Sequence, residues 1–385
     1  VMAGKLNDQF VTDVLQSGAG VSCHMNVNEV IANRALEILR RKKGDYEFLN
    51  PHDHVNRGQS TNDVIPTAMR IGALGLLKEF FESSWRLEES FAKKATQFRR
   101  IVKAGRTHLQ DAAPITLGQE FSGYGRQLEK GRLRVERVAE NLLELGIGGS
   151  AVGTGLNTSP AYRNLVIKNL RRITGFPVRS GKNLFELMQS DADFSGVSGA
   201  LRSYALSLIQ ISNDLRLLSS GPQTGFGEIH LPACQPGSSI MPGKVNPVMP
   251  EVAAQVGFQV IGNDLAISLA TQAGQLELNV MRPVIAHNLF QSIEILKNLC
   301  RLLRTHCIEG ITANAKRCRE YAEKSYGIAA ALNPHIGYAT AAECVKESVR
   351  SGKTLREVVL AKKLLTPSAL DRILSPENLT QPKRK

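Results

Sequence analysis

The stretch 63–103, DVIPTAMRIGALGLLKEFFESSWRLEESFAKKATQFRRIVK, decides the fold class. Apolar residues recur in it at Ile71, Leu74, Leu77, Phe81, Trp85, Leu87 and Phe91. Steps of mostly three and four residues put side chains on one face of an α-helix, whereas a half-buried strand would alternate. Outward along the chain, 117–145 repeats the pattern through Phe121, Tyr124, Leu128, Val135, Val138 and Leu142. Segments of the same kind run over 187–218, 250–271 and 283–307, and the breaks between them are rich in Gly, Pro, Asn and Ser. Helices this long, apolar on more than one side, pack into bundles, often ones shared between subunits. The expected fold is all-α: a central long-helix bundle over 63–310 and, past Asn333-Pro334, shorter helical pieces forming a small C-terminal domain over 311–385.

The composition narrows the class of function. The 385 residues include 48 Lys and Arg against 35 Asp and Glu, a net charge of +13. Such an excess can steer nucleic acid, acidic lipid or small anionic substrates. The basic residues are spread along the chain, clustering only at Lys383, Arg384 and Lys385, and aromatics make up 5% with no basic–aromatic interleaving. Nucleic acid is therefore not expected as a partner. With no run of about 18 apolar residues and no basic-then-apolar leader, no membrane association is expected either. Cys23, Cys234, Cys300, Cys307, Cys318 and Cys344 form no CxxC pair, which reads as reduced thiols and a cytoplasmic location.

Four polar loops interrupt the helices: 17–26, 50–63, 105–111 and 237–247. Taken singly, each reads as a cap or turn, because Ser, Thr, Asn and Asp satisfy free helix amides. The fourth, GSSIMPGKVNP, carries more: two hydroxyls at Ser238 and Ser239, a cation at Lys244, and Gly237 and Gly243. A serine hydroxyl acts as a base only if its anion is stabilised, which an ammonium and backbone amides can do. Such an anion suits removal of a proton from carbon beside a carboxylate, provided donors meet the charge that develops. Ser60, Thr61, Asn62, Thr107 and His108 are candidate donors for a dicarboxylate. His52 and His54 lack the cysteine or carboxylate company of a metal site and are expected to make structural hydrogen bonds; no metal ligands are assigned. His306, beside Cys307, is expected to pack in the bundle.

The block 237–247, together with QSTND at 59–63 and GRTHLQD at 105–111, in this order, resembles the signature regions of the aspartase/fumarase superfamily. The likeness extends over essentially the whole chain. FLNPHDHVN at 48–56, Thr61 after Ser60, VMPE at 248–251 and AGQLELNVM at 273–281 resemble the aspartate ammonia-lyase branch more than class II fumarases. The resemblance implies reversible elimination of ammonia from L-aspartate to give fumarate, with a class II fumarase-like hydratase or a non-catalytic relative as alternatives. It implies Ser238 as the base, and Ser60, Thr61 and Ser239 around the aci-carboxylate. Lys244, Asn246 and Thr107 would bind the α-carboxylate, Asn62 and His108 the amino group, with Glu251 orienting His108. It further implies a homotetramer whose active sites draw on three subunits, and no required cofactor, although Mg2+ activates some members.

Three departures stand out. Aspartases carry Thr where this chain has Val21, and loss of one donor to an oxyanion costs roughly 10²–10³ in rate. They carry Asn where it has His24, and Glu where it has Arg282. Family chains also have a further segment before residue 1, so 1–62 reads as the remainder of a truncated N-terminal helical domain.

Overall fold

The computed structural model describes residues 1–381, so the basic cluster Lys383, Arg384 and Lys385 lies outside it. The chain is predominantly helical, as expected. In chain order the main elements are α1 (Val21–Ile38), α2 (Thr61–Gln97), β1 (Val102–Thr107), β2 (Gln110–Thr116), α3 (Leu117–Ala139), α4 (Pro160–Thr174), α5 (Leu184–Gln189), α6 (Ala192–Leu218), α7 (Val248–Gln272) and α8 (Arg282–His306). Short helices follow from Ala315 to Thr380.

Two boundaries differ from expectation for identifiable reasons. The 105–111 segment is the tip of an antiparallel hairpin, β1–β2, rather than an irregular loop, and α2 stops at Gln97 before it. Gly105 makes the hairpin possible, because a Cβ there would lie 2.3 Å from the Ala113 carbonyl oxygen. The helix expected over 187–218 is two, α5 and α6, broken at Ser190 and Asp191, where Asp191 turns to meet Arg282. Within α2 Phe80 and Phe91 are the fully buried aromatics, whereas Phe81 is half-buried and Trp85 is 49% exposed.

The chain forms two compact units, each assembled from three stretches. The first comprises Val1–Ser84, Lys130–Leu208 and Gln255–Cys300. Its core joins Leu77 and Phe80 of α2, Leu201 and Tyr204 of α6, Val260 and Ile267 of α7, and Ile285, Leu289 and Ile293 of α8. Phe80 meets Tyr204 edge-on at 5.2 Å, a favoured aromatic geometry. A smaller cluster, Leu145, Ile147, Ile167 and Val178, closes the unit around α4.

The second unit comprises Trp85–Glu129, Ile209–Ala254 and the residues from Arg301 onward. Phe91 of α2 and Phe98, just past its end, pack there against Phe121 and Tyr124 of α3. Its C-terminal helices bury their own core of Ile328, Leu332, Ala341, Cys344, Leu355, Val358, Val359 and Leu370.

Helix α7 corrects the expectation that no stretch is apolar enough to span a membrane, since by length and composition it is. Its mid-helix polar pair shows it packed against protein. Asp264 accepts from Ser198 Oγ (2.6 Å) and Arg202 Nη1 (2.8 Å), and the Asn263 amide donates to Gln291 Oε1 (2.9 Å) and Ser292 Oγ (3.0 Å).

Candidate active site

In the first unit the candidate donors sit at the start of α2. Ser60 Oγ accepts from the Asn62 backbone amide (3.2 Å), and Asp63 Oδ1 accepts from the Ser60 amide (3.0 Å), a reciprocal cap of the helix N-terminus. The capping and binding readings are compatible here, because Ser60 Oγ only accepts and keeps its proton to donate. Asp63 is fully buried, and its other oxygen accepts from the Gly148 and Ser150 amides, both at 3.0 Å. Burial pushes its carboxyl above the usual carboxylate range, while the three amides oppose the shift. Asn62 Nδ2 donates to the Ala151 carbonyl (2.8 Å), which commits the amide's nitrogen end to the protein.

Arg282 explains itself at this point. Pro66 lies four residues after Asn62 and has no N–H, so the Asn62 carbonyl has no helical donor. Arg282 Nη1 supplies one at 3.0 Å. Its Nη2 donates to Met188 (2.6 Å) and Leu187 (3.4 Å) carbonyls at the end of α5, and its Nε reaches Asp191 Oδ1 at 3.3 Å. Both charged residues are buried, at 0% and 1% side-chain exposure. Burial raises the Asp191 carboxyl and Arg282 opposes it; burial also lowers the guanidinium, and Asp191 opposes that.

His24, in the first turn of α1, is 4% exposed, and its Nδ1 lies 2.9 Å from Thr61 Oγ1. Its Nε2 is buried with no partner, and burial lowers the imidazole's pKa. Val21, at the helix start, is 44% exposed.

In the second unit, Thr107 and His108 lie at the hairpin tip. Thr107 pairs with Gln110, so the turn is His108-Leu109, with φ of 55° and 58°. Two left-handed residues suit a hairpin turn, but Asn-Gly ordinarily fills those positions. Left-handed backbone in larger side chains is the kind of strain that collects at functional sites. The hairpin's root is held by charge: fully buried Glu228 pairs with Lys103 (3.0 Å) and Arg106 (2.8 Å), and Lys103 also reaches Glu120 (2.9 Å).

The loop 237–247 closes on itself. A Cβ at Gly237 would lie 1.9 Å from the Lys244 carbonyl oxygen, so only glycine fits, and Asn246 Nδ2 donates to the Gly237 carbonyl at 2.6 Å. Ser238 is half-buried, and its Oγ accepts from the Ile240 amide (3.2 Å) and the Met241 amide (3.0 Å). Ser239 and Lys244 are exposed, and half-buried Glu251 lies in the first turn of α7. Among the described contacts, no hydrogen bond or ion pair joins Glu251 to His108.

Other expected roles resolve more simply. His54 Nδ1 accepts from the Asn50 amide at 2.9 Å. His306 is a correction: it is exposed and its ring pairs with Thr305 Oγ1 (2.7 Å), while Cys307 is the buried neighbour. Asn279 is fully buried and closes the end of α7 by donating to the Ala270 (3.0 Å) and Thr271 (3.3 Å) carbonyls. Asp63 carries no role in the sequence pattern and Arg282 stands there only as a departure, yet both organise the start of α2. The S-x-x-D spacing of Ser60 and Asp63, and Pro66 four residues after Asn62, were the available signals.

Residues 1–262 match the lyase family model, and residues 328–381 match that of the fumarase C C-terminus. The chain is 49% identical over 382 residues to the aspartate ammonia-lyase of a Bacillus species, covering 99% of this chain and 82% of the relative. It is 50% identical over 379 residues to that of Helicobacter pylori, covering 98% and 81%. Among solved structures it superimposes on the fumarate lyase:delta crystallin of Brucella melitensis with a TM-score of 0.96 at 48% identity, covering 99% of this chain and 83% of that one. A class II fumarase from Schistosoma mansoni matches at 0.89 and 35% identity, with the same coverage. The chain belongs to the aspartase/fumarase superfamily of lyases.

Proposed function

We propose that the chain eliminates ammonia from L-aspartate to give fumarate. The observation that carries the reading is Ser238, whose Oγ accepts two backbone amides inside a loop that also presents Lys244. Aligned donors of this kind stabilise a serine anion, which is what a serine needs to act as a base. The relatives at 49% and 50% identity named aspartate ammonia-lyases select the substrate over malate.

The steps follow from the chemistry. The Ser238 anion takes a proton from the β-carbon, and the C–H electrons move into the neighbouring carboxylate as an aci-carboxylate with two negative charges. Ser60, Thr61 and Ser239 donate to that group as its charge grows, where donors contribute most to rate. The electrons then return to form the C=C bond as the C–N bond breaks and ammonia leaves. Lys244, Asn246 and Thr107 hold the α-carboxylate. Asn62 Oδ1 and His108 receive the amino group, with Glu251 orienting His108.

The reading needs no cofactor, since base, cation and donors are all side chains. Among the described residues no three His, Cys, Asp or Glu side chains gather where a metal ion could sit, so no step is routed through Mg2+. A homotetramer with sites drawn from three subunits is part of the proposal. Its support is Phe258, Leu265 and Leu269 of α7, which share one helical face and are 62%, 62% and 55% exposed. A cytoplasmic location is proposed on the six free thiols. The test is fumarate release from L-aspartate, followed by ultraviolet absorbance, with L-malate as comparison. Release from malate alone would replace the ammonia-lyase reading with a hydratase.

A further inference from the structure

Position 24 carries a histidine that the mechanism above does not use, and its surroundings give it a task. Nδ1 lies 2.9 Å from Thr61 Oγ1, and no other partner competes for the ring, because Nε2 is buried and unpaired. The approach is fixed by backbone. Ala19 and Gly20 take φ of 57° and 97° to start α1, and a Cβ at Gly20 would lie 3.2 Å from Ile65 of α2. The loop before His24 is thus packed tightly onto the helix that begins with Thr61.

A threonine hydroxyl has a single proton. If Thr61 gives it to Nδ1, its oxygen presents only lone pairs to a ligand and repels a carboxylate. If Nδ1–H donates to Oγ1 instead, the Thr61 proton is free to point at the carboxylate, and donation into its oxygen makes that hydroxyl a better donor. In the second arrangement Nε2 is an unprotonated acceptor that needs no charge. Burial favours a neutral ring, which both arrangements have, so the difference between them lies only in which nitrogen carries the proton.

We infer that His24 is a positioning residue: its Nδ1–H holds the Thr61 hydroxyl as a hydrogen-bond donor toward the substrate carboxylate that accumulates charge. The inference rests on the proposed role of Thr61 as a carboxylate ligand. It also separates His24 from a packing residue, since packing makes no demand on which atom at position 24 carries a proton.

The test is a double-mutant cycle in the full chain, with L-aspartate kinetics and secondary structure by circular dichroism for each variant. His24→Leu lowers kcat/KM at least tenfold in the parent and no more than twofold when Thr61→Val has already removed the hydroxyl. His24→Asn, whose side-chain amide can still donate to Oγ1, keeps kcat/KM within threefold of the parent. An effect of His24→Leu below twofold, or the same loss with and without the Thr61 hydroxyl, overturns the inference. Should His24→Leu not fold, His24→Asp replaces it. Asp can only accept from Thr61, so it loses at least tenfold relative to the equally sized Asn, and equality overturns the inference. A parent chain that releases no fumarate sinks the lyase reading, and calorimetric binding of succinate then decides this one. Weakening of the Kd at least tenfold by His24→Leu supports it, whereas an unchanged Kd or no binding overturns it.

Discussion

Replacing Arg282 by Met removes the guanidinium while keeping much of its length. The structure sets the magnitude. Asp191 loses the cation 3.3 Å from its Oδ1 at a site where neither side chain is exposed by more than 1%. Breaking one side of a buried ion pair costs about 3–5 kcal/mol, because the remaining charge is left uncompensated. The Asn62, Leu187 and Met188 carbonyls lose donors in the same step, but they share one guanidinium and are not added separately. The expected loss of unfolding free energy is therefore about 3–5 kcal/mol near neutral pH, read by urea titration monitored by circular dichroism. The deficit depends on pH in a determined direction. Burial already raises Asp191, and Arg282 is the largest influence holding it down. Without Arg282 the folded-state pKa rises further above the unfolded value. The variant then keeps its stability below the unfolded carboxylate range and loses it as pH rises through the raised pKa. Arg282→Met should lie closer to the parent at pH 5 than at pH 8, and adding Asp191→Asn should recover part of the loss at pH 8. A loss under about 1 kcal/mol at pH 8, or a deficit that grows on acidification, would refute the assignment of Arg282 as partner of a buried carboxylate.

Other outcomes follow from the same geometry. Val21→Thr restores a hydroxyl at an exposed position and should raise turnover at least tenfold with unchanged thermal stability, both measured on one preparation. Asp63→Ala leaves the Gly148 and Ser150 amides without their acceptor, which should cost about 1–3 kcal/mol in urea unfolding and lower turnover. Phe258→Glu places charge on the exposed apolar face of α7 and should shift the chain to smaller species by size-exclusion chromatography, with loss of activity.

The helical class could be read from period alone, because the apolar residues of α2, α3, α6, α7 and α8 recur at helical spacing over long stretches. Spacing could not locate the hairpin. Its tip is His108-Leu109, two residues that turn chemistry does not favour there, and the Gly105 that permits the strand pairing looked like a loop glycine. Nor could spacing predict the break at Ser190 and Asp191, which depends on an arginine more than ninety residues away in sequence. The loops carrying candidate chemistry were recognisable from residue types and from resemblance. What holds them was not. The purpose of Arg282 emerges only when the carbonyl stranded by Pro66 and the end of α5 are seen to meet one guanidinium. His24 reads as a mere substitution until its ring is found against Thr61. Partners distant in sequence are set by packing, and one-dimensional patterns carry little of that information.

The most direct test of the central claim is fumarate consumption by the purified chain, with and without ammonium, beside Ser238→Ala. Fumarate should be lost only when ammonium is present, at a rate about 10²–10⁴ lower when Ser238 is replaced. Consumption without ammonium, or full activity in Ser238→Ala, would contradict it.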